Sequence, residues 1–272
     1  MASNDELAYE RWGGKGDPTL LIHGSWADRT SWRKVVPSLS ASLDVLVYDR
    51  RGHGESPVRP RPHPVRDDAA DAAELLRATD LYPAHVIGHS YGGAVALRLA
   101  VDRPELVRSV AIHEPPFLDW LDGAAELEGE LRPFQDEVDR LRERLRSGDR
   151  GEATRELARK VAGGPDFGPT PDPRERAGSL AGADRWLEEY SDPDASRPDA
   201  TELAAICLPV LVTTGEQSPR WTEAIASRLA ERLSFPSVQR LPDAGSWPQW
   251  THPELYADVL QTFLVERNVP PF

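Results

Sequence analysis

The stretch Gly88-His-Ser-Tyr-Gly92 constrains the fold of this chain more than any other. It follows a strand-like apolar run and leads directly into a helical pattern over 91–102, so the serine sits at a strand-to-helix turn. Glycines permit a tight turn at this point, which leaves the Ser90 hydroxyl exposed above a sheet and beside the positive end of a helix. A serine that merely caps the helix is the competing interpretation. The context favours Ser90 as a nucleophile.

Short apolar runs bounded by turn residues alternate with amphipathic helical patterns in two parts of the chain. The runs are Thr19–His23, Asp44–Tyr48, Ala84–Gly88, Val107–Ile112, Val210–Thr213 and Ser237–Leu241. Several of them are continuously apolar, as is typical of strands buried on both faces. This alternation predicts an α/β fold with a mostly parallel central sheet flanked by helices.

Residues 117–200 break this alternation with helical patterns alone. Apolar residues recur there at intervals of three and four, which predicts a helix with one apolar stripe. The stripe consists of Leu127, Leu131, Phe134, Val138, Leu141 and Leu145. Pro133 is expected to split this helix into two pieces. The sequence thus predicts a core formed by 1–116 and 201–272, with a helical cap at 117–200 inserted before the last two strands.

The chain resembles the α/β-hydrolase superfamily over nearly its whole length. The resemblance rests on HGSWAD at 23–28, YDRRGHGES at 48–56, GHSYGG at 88–93 and LPDAG at 241–245. It implies a serine hydrolase of the esterase or lactonase type, with Ser90 as nucleophile. The backbone N–H groups of Ser25 and Tyr91 are the expected donors of an oxyanion hole, which binds the negative charge that develops on the substrate oxygen.

The acid that would orient a catalytic histidine has two candidate positions. Family members usually carry it in a turn after the strand Val210–Thr213, where this chain has Ser218 in its place and Glu216 two positions earlier. A second family location follows the preceding strand, and there Glu114 resembles the acid of zearalenone-lactonase-like hydrolases. We therefore predict Glu114 as the acid and keep Glu216 as the alternative; His113 is expected to pack in the interior.

The base position is occupied by an unexpected residue. The family usually has histidine after Asp-Ala-Gly, whereas this chain has Ser246. A serine hydroxyl is no base near neutral pH. His23, His89 and His252 are the other histidines near these motifs, and each is expected to serve its own turn or helix. The sequence therefore predicts weak or abolished hydrolysis.

Three explanations of Ser246 remain open. The chain is a deliberately inactivated hydrolase, a non-hydrolytic enzyme (a cyclase, lyase or isomerase of a secondary-metabolite pathway), or a ligand-binding protein on a hydrolase scaffold. Four tryptophans near the motifs favour a small apolar or aromatic ester or lactone as ligand. They are Trp26, Trp186, Trp247 and Trp250. The alternative interpretation is that these rings only tie the cap to the core.

Composition excludes several classes of partner. The net charge is −13, which disfavours binding to nucleic acid or to an anionic membrane. Cys207 is the only cysteine, so no intrachain disulfide is expected, and no cofactor or metal is predicted. The N-terminus lacks the pattern of a signal peptide, and no apolar run approaches the ~18 residues of a membrane span. We expect a cytoplasmic protein, and a homodimer is left open.

Overall fold

The central feature is one seven-stranded sheet. The computed structural model describes residues 6–58, 63–148, 153, 156 and 183–266. The strands are β1 (Tyr9–Trp12), β2 (Pro18–Ile22), β3 (Asp44–Tyr48), β4 (Ala84–His89), β5 (Val107–His113), β6 (Val210–Gly215) and β7 (Pro236–Leu241). Their order is β1-β3-β2-β4-β5-β6-β7, and among the strands of the described residues only the β1–β3 pair is antiparallel. All six predicted runs are strands, and the predicted α/β architecture is confirmed.

Helices cover both faces of the sheet. They are α1 (Val36–Leu39), α2 (Val65–Ala78), α3 (Tyr91–Asp102), α4 (Glu128–Arg146), α5 (183–190), α6 (Pro193–Ser196), α7 (Ala200–Ala204), α8 (Arg220–Ala230), α9 (Pro248–Thr251) and α10 (Pro253–Glu266). Short 3₁₀ helices span Arg29–Trp32, Pro104–Leu106 and Leu118–Leu121. Strands β3 and β4 are buried along their whole length, because helices pack on both sides of them.

The register of the parallel strands brings four loops together at one edge of the sheet. Gly88 in β4 lies opposite Ile22 in β2 and Ile112 in β5, while His113 in β5 lies opposite Thr213 in β6. The segments that follow these strands therefore leave the sheet side by side. They carry Gly24 and Ser25, Ser90, Glu114, and the turn after Gly215. In an open parallel sheet this carboxyl edge is where ligands bind.

The described elements between β5 and β6 are all helical, as expected for an inserted cap. Helix α4 buries Val138, Leu141 and Leu145 against Trp186 of α5, which gives this segment an apolar cluster of its own. The expectation that Pro133 splits the helix is wrong, because α4 continues through it. Proline removes one backbone hydrogen bond near the start of a 19-residue helix, and the buried stripe on either side holds the helix together. The loop expected at 163–173 lies outside the described residues.

The helices of the described part do not meet the length and hydropathy that a membrane span requires. None of them combines the necessary length with a sufficiently apolar composition.

Candidate active site

Ser90 occupies a strained turn between β4 and α3. Its φ is 51° and its ψ −120°, a backbone conformation that side-chain-bearing residues rarely adopt. The two flanking glycines explain how the turn fits: a Cβ on Gly92 would lie 2.3 Å from the carbonyl oxygen of Ile22, and one on Gly88 equally close to that of Gly92. The Ser90 side chain makes no capping hydrogen bond to α3. The helix-cap interpretation is therefore wrong, and the hydroxyl is left available.

The loop after β2 lies directly against Ser90. A Cβ placed on Gly24 would be 3.1 Å from the Cβ of Ser90 and 2.9 Å from the carbonyl oxygen of His89. The backbone of Gly24 and Ser25 thus borders the nucleophile, as an oxyanion loop must. Tyr91 is the first residue of α3, so its N–H lies in the turn of a helix where backbone donors lack intrahelical partners. Gly24, the neighbour of Ser25, therefore borders Ser90 on one side, and Tyr91 follows Ser90 directly in the chain.

Glu114 lies at the end of β5, next to the strand that carries Ser90. Its φ of 46° turns the side chain back toward the sheet edge, where Oε1 accepts a hydrogen bond from the Gly215 N–H at 2.9 Å. The carboxylate is buried, and the ring of His113 lies 3.4 Å from the same oxygen. Gly215 is also the point where the Ala244–Gly245 turn approaches, since a Cβ there would lie 2.5 Å from the Ala244 carbonyl. Glu114 is therefore anchored beside the loop that carries Ser246.

Glu216, the alternative acid, points elsewhere. Its Oε2 accepts a hydrogen bond from the Asp243 N–H at 3.1 Å, and its Oε1 lies 3.7 Å from the Arg240 guanidinium. Its side chain is 46% exposed. Glu216 braces the surface side of the turn that begins at Leu241, so Glu114 is the better placed of the two carboxylates.

Ser246 faces the position at which the family usually carries its acid. Its hydroxyl oxygen lies 3.5 Å from that of Ser218. Its carbonyl oxygen accepts a hydrogen bond from Nε2 of His89 at 2.7 Å, and this bond ties the loop to the end of β4. Two neighbouring serine hydroxyls therefore stand where a histidine and an aspartate are expected.

No histidine takes over as the base. All seven histidines of the chain lie in the part that the structure describes. The ring of His23 contacts the Gly24 carbonyl and the Arg50 N–H, that of His53 contacts the Ala27 carbonyl and Glu189, and that of His63 contacts Asp68. The other four rings each contact one partner: His85 contacts Ser109, His89 the Ser246 carbonyl, His113 Thr213, and His252 Thr251. Among the described residues none of them hydrogen-bonds the Ser90 hydroxyl. The rings nearest to it are also poor bases, since burial lowers the pKa of His89 to about 4 and holds that of His23 well below its usual value.

Three of the predicted tryptophans lie near this edge of the sheet. The Trp26 and Trp186 rings are 6.1 Å apart and join the apolar cluster of the cap. The Trp247 ring lies 4.3 Å from that of His89. Trp26 and Trp186 therefore connect the oxyanion loop to the cap, which is the alternative interpretation of these rings, while Trp247 borders the base position.

Trp250 is placed differently. Its side chain is an exposed one, at 44%. The Lys34 ammonium lies 4.3 Å from the centre of its ring, and the same ammonium donates a hydrogen bond to the Trp250 carbonyl. Trp250 therefore makes a surface cation–π contact with Lys34 and is not part of the proposed site.

A cluster of buried charges next to the oxyanion loop was not predicted from the sequence. Four buried side chains, Arg50 and Asp68 of the core and Arg185 and Glu189 of α5, form a ring in which positive and negative groups alternate, hereafter the charge ring. Each of the four side chains is at most 6% exposed, and the closest nitrogen–oxygen distances are 3.3 Å for Arg50–Asp68, 2.5 Å for Arg185–Asp68, 2.8 Å for Arg50–Glu189 and 3.6 Å for Arg185–Glu189. Burial would raise the pKa of Glu189 and Asp68, but the two arginines outweigh it and lower both, so both carboxylates are ionised. The YDRRGHGES motif predicted only a turn. The i, i+4 spacing of Arg185 and Glu189 was the one pattern in the cap that could have indicated these buried ion pairs.

This chain is similar to known proteins in both its sequence and its fold. A family model described as the alpha/beta hydrolase fold matches residues 17–253. The chain belongs to the α/β-hydrolase family.

Three individual proteins match this chain over nearly its whole length. The chain is 27% identical to a 2-hydroxymuconate semialdehyde hydrolase of a Pseudomonas species, over 94% of this chain and 89% of the relative. It is 26% identical to an alpha/beta hydrolase from Sphaerobacter thermophilus, with a TM-score of 0.71 over 95% of this chain and 96% of that one. A thermophilic esterase from Thermogutta terrifontis is 25% identical, with a TM-score of 0.71 over 97% of this chain and 94% of the other.

Other curated relatives are matched over a smaller part of their length. The matched regions cover 29%, 42% and 38% of the first three. Membership of the α/β-hydrolase family therefore rests on the family model, and some of the relatives are hydrolases. The resemblance to zearalenone lactonases stays a prediction.

Proposed function

We propose that the chain is a serine-hydrolase-type protein for small esters or lactones, with Ser90 as nucleophile and Glu114 as acid. The observation that carries this proposal is the strained Ser90, which the Gly24–Ser25 loop borders on one side and the start of α3 on the other. Such strain persists only where surrounding structure enforces it, and it is common at catalytic positions. The hydrolase and esterase relatives favour the same class of reaction.

The arrangement suits attack on an ester carbonyl. The Ser90 oxygen would bond to the carbonyl carbon, and the former carbonyl oxygen would take up negative charge. The N–H groups of Ser25 and Tyr91 would donate to that oxygen, helped by the positive end of the α3 dipole. Collapse of the adduct would break the bond to the alkoxide leaving group and leave Ser90 acylated. The proton that the Ser90 hydroxyl loses would have to reach the alkoxide, and water would then hydrolyse the acyl-enzyme to release the acid.

Proton transfer is the step that this chain lacks. In a complete triad, one imidazole accepts the nucleophile's proton and passes it to the leaving group. The hydroxyls of Ser246 and Ser218 cannot accept a proton near neutral pH. The oxyanion hole and substrate binding would still supply an acceleration of about 10³–10⁴ over water. We therefore propose that hydrolysis is slow, with the substrate bound and partly activated.

Ligand binding without turnover is the second candidate function. It is favoured by the finding that all seven histidines have partners other than Ser90. A protein that holds an ester or lactone without cleaving it would need the pocket but no base.

Reaction of Ser90 with a fluorophosphonate probe, read out by intact mass, tests the proposal. The wild-type chain should gain the mass of one probe slowly, whereas Ser90→Ala should gain none. Ser246→His should react much faster, since an imidazole would then deprotonate the nucleophile. A mass gain that persists in Ser90→Ala would place the reactive group elsewhere. Failure of both Ser90-containing proteins to react would refute the hydrolase proposal and leave the ligand-binding one.

A further inference from the structure

Arg50 holds the backbone of the oxyanion loop. Its Nε donates a hydrogen bond to the His23 carbonyl at 3.1 Å, and its Nη2 donates one to the Gly24 carbonyl at 3.2 Å. Its own N–H donates to Nε2 of His23 at 3.0 Å. Three consecutive contacts thus fix the chain immediately before Ser25. The side chain is fully buried, so water does not compete for these donors.

The same guanidinium also contacts the other side of the predicted oxyanion hole. Its central carbon lies 4.6 Å from the centre of the Tyr91 ring. Tyr91 is nearly fully buried, and its backbone N–H is the second predicted donor. A single side chain therefore contacts the peptide unit that carries one expected donor, the Ser25 N–H, and the ring of the residue that carries the other, Tyr91.

We propose that Arg50 is a positioning residue that fixes and polarises the oxyanion hole, with Glu189 of the cap as its counter-ion. This inference rests on the proposed function, because it assigns the Ser25 and Tyr91 N–H groups to the oxyanion. Arg50 itself touches neither Ser90 nor the substrate position. It acts through the Gly24–Ser25 peptide.

The polarisation follows from the geometry of one peptide unit. The carbonyl of Gly24 and the N–H of Ser25 belong to the same planar, resonance-coupled group. A charged donor on the carbonyl oxygen draws electron density away from the nitrogen, which makes the N–H a stronger donor. Arginine keeps its charge at all accessible pH values, so this effect is permanent.

Glu189 completes the arrangement from the cap. Its Oε1 lies 2.8 Å from Nη1 of Arg50, and its Oε2 accepts a hydrogen bond from the Ser25 hydroxyl at 2.5 Å. The Ser25 hydroxyl is therefore engaged by the cap carboxylate, and only its backbone N–H is assigned to the oxyanion. Because Arg50 and Arg185 neutralise Glu189 and Asp68, the buried carboxylates do not oppose the negative charge of the adduct.

The test compares Arg50→Lys with Arg185→Lys. Methionine at either position would leave a buried carboxylate unpaired, whereas lysine keeps the charge and loses only the planar fork of donors. Both variants therefore perturb the same charge ring and keep its net charge. Only Arg50→Lys breaks the contacts with the His23 and Gly24 carbonyls. Circular dichroism and melting temperature establish that each variant is folded.

The first readout needs no catalytic activity. In otherwise wild-type protein labelled with ¹³C at glycine carbonyls and ¹⁵N at serine, the Gly24–Ser25 pair gives one NMR correlation, which Ser25→Ala identifies by removing it. Arg50→Lys should shift both the carbonyl and the amide resonance of this pair. Arg185→Lys should leave them in place. Equal shifts in both variants, or none in either, would overturn the inference whether or not the protein hydrolyses esters.

The second readout links the contact to catalysis in the Ser246→His background. Outright removal of one oxyanion donor lowers kcat by about 10²–10³-fold, so weakening a donor should cost about 10-fold or somewhat more. We expect Arg50→Lys to lower kcat to that extent with little change in KM, and Arg185→Lys to leave kcat nearly unchanged. An equal loss in both would show that the charge ring only docks the cap. If Ser246→His itself shows no turnover, the proposed function fails, and the NMR comparison alone decides the role of Arg50.

Discussion

Replacing Ser246 by histidine tests the central gap in the site most directly. An imidazole at this position would extend from a loop whose carbonyl is fixed by His89 and whose side chain already faces Ser218. Glu114 lies beside the same turn through its bond to Gly215. The new ring would therefore have Ser90 to deprotonate and a carboxylate to hold its tautomer.

The size of the gain depends on whether Glu114 serves as the acid. In a complete triad, loss of the histidine costs about 2 × 10⁶ in kcat, while loss of the acid alone costs about 3 × 10⁴. A histidine without a working acid should thus gain only about 10²-fold, which is the ratio of these two numbers. With Glu114 in place the gain should approach 10⁴–10⁶-fold. Initial rates with p-nitrophenyl esters distinguish the two cases.

Matched variants make the result interpretable. Ser246→Gln supplies a side chain of similar length that cannot accept a proton, and it should leave the rate unchanged. Adding Glu114→Gln to Ser246→His should remove most of the gain, whereas Glu216→Gln should remove little. If Ser246→His leaves an existing turnover unchanged or lowers it, Ser246 belongs to a different mechanism and the triad reasoning is refuted.

Further predictions concern pH and the glycines. Burial lowers the pKa of His89 to about 4 and that of His113 to about 3, from 6.5 for an exposed histidine. At a pH between the lowered pKa and 6.5, these histidines bind a proton in the unfolded chain but not in the folded protein. The free energy of unfolding should therefore fall as the pH drops from 6.5 to 4, by about 1.4 kcal/mol per pH unit for each histidine. The free energy of unfolding from urea titrations should show this slope, to which the lowered pKa values of His23, His53 and His85 also contribute. His89→Gln should reduce the slope by the share of one histidine, about 1.4 kcal/mol per pH unit, and an unchanged slope would contradict the assignment. Gly92→Ala would place a Cβ 2.3 Å from a backbone oxygen and should abolish probe labelling of the nucleophile and lower the melting temperature. Gly129→Ala, in α4 with open space around it, should instead stabilise by about 0.5–1 kcal/mol, so a loss in both would point to a general intolerance of alanine.

The sheet was largely predictable because its central strands are buried on both faces and read as continuous apolar runs. The antiparallel strand Tyr9–Trp12 was missed for the opposite reason. It is a four-residue edge strand with three exposed side chains, so it carries no apolar run. Its partner is β3, which lies more than thirty positions away and supplies the pairing that local sequence does not show.

The site was predictable where one short motif determines the local backbone. The two glycines around Ser90 specify the strained turn, and the residue after β5 specifies where Glu114 stands. The choice between Glu114 and Glu216 depended instead on side-chain direction, which the fold sets through Gly215 and Asp243. The charge ring was out of reach, because the two contacts that join its halves, Arg185–Asp68 and Arg50–Glu189, link residues more than a hundred positions apart.

The charge ring has a consequence for how this protein could change over evolutionary time. The core half, Arg50 with Asp68, is electrically neutral, and so is the cap half, Arg185 with Glu189. A recombination event that exchanges the whole cap for another one therefore leaves no net charge stranded in the interior. Single substitutions within either half do strand one, at a cost of several kcal/mol. Arg185 and Glu189 should consequently be gained and lost together in evolution. The cap as a whole would then be exchangeable, while neither of these two residues would be exchangeable alone.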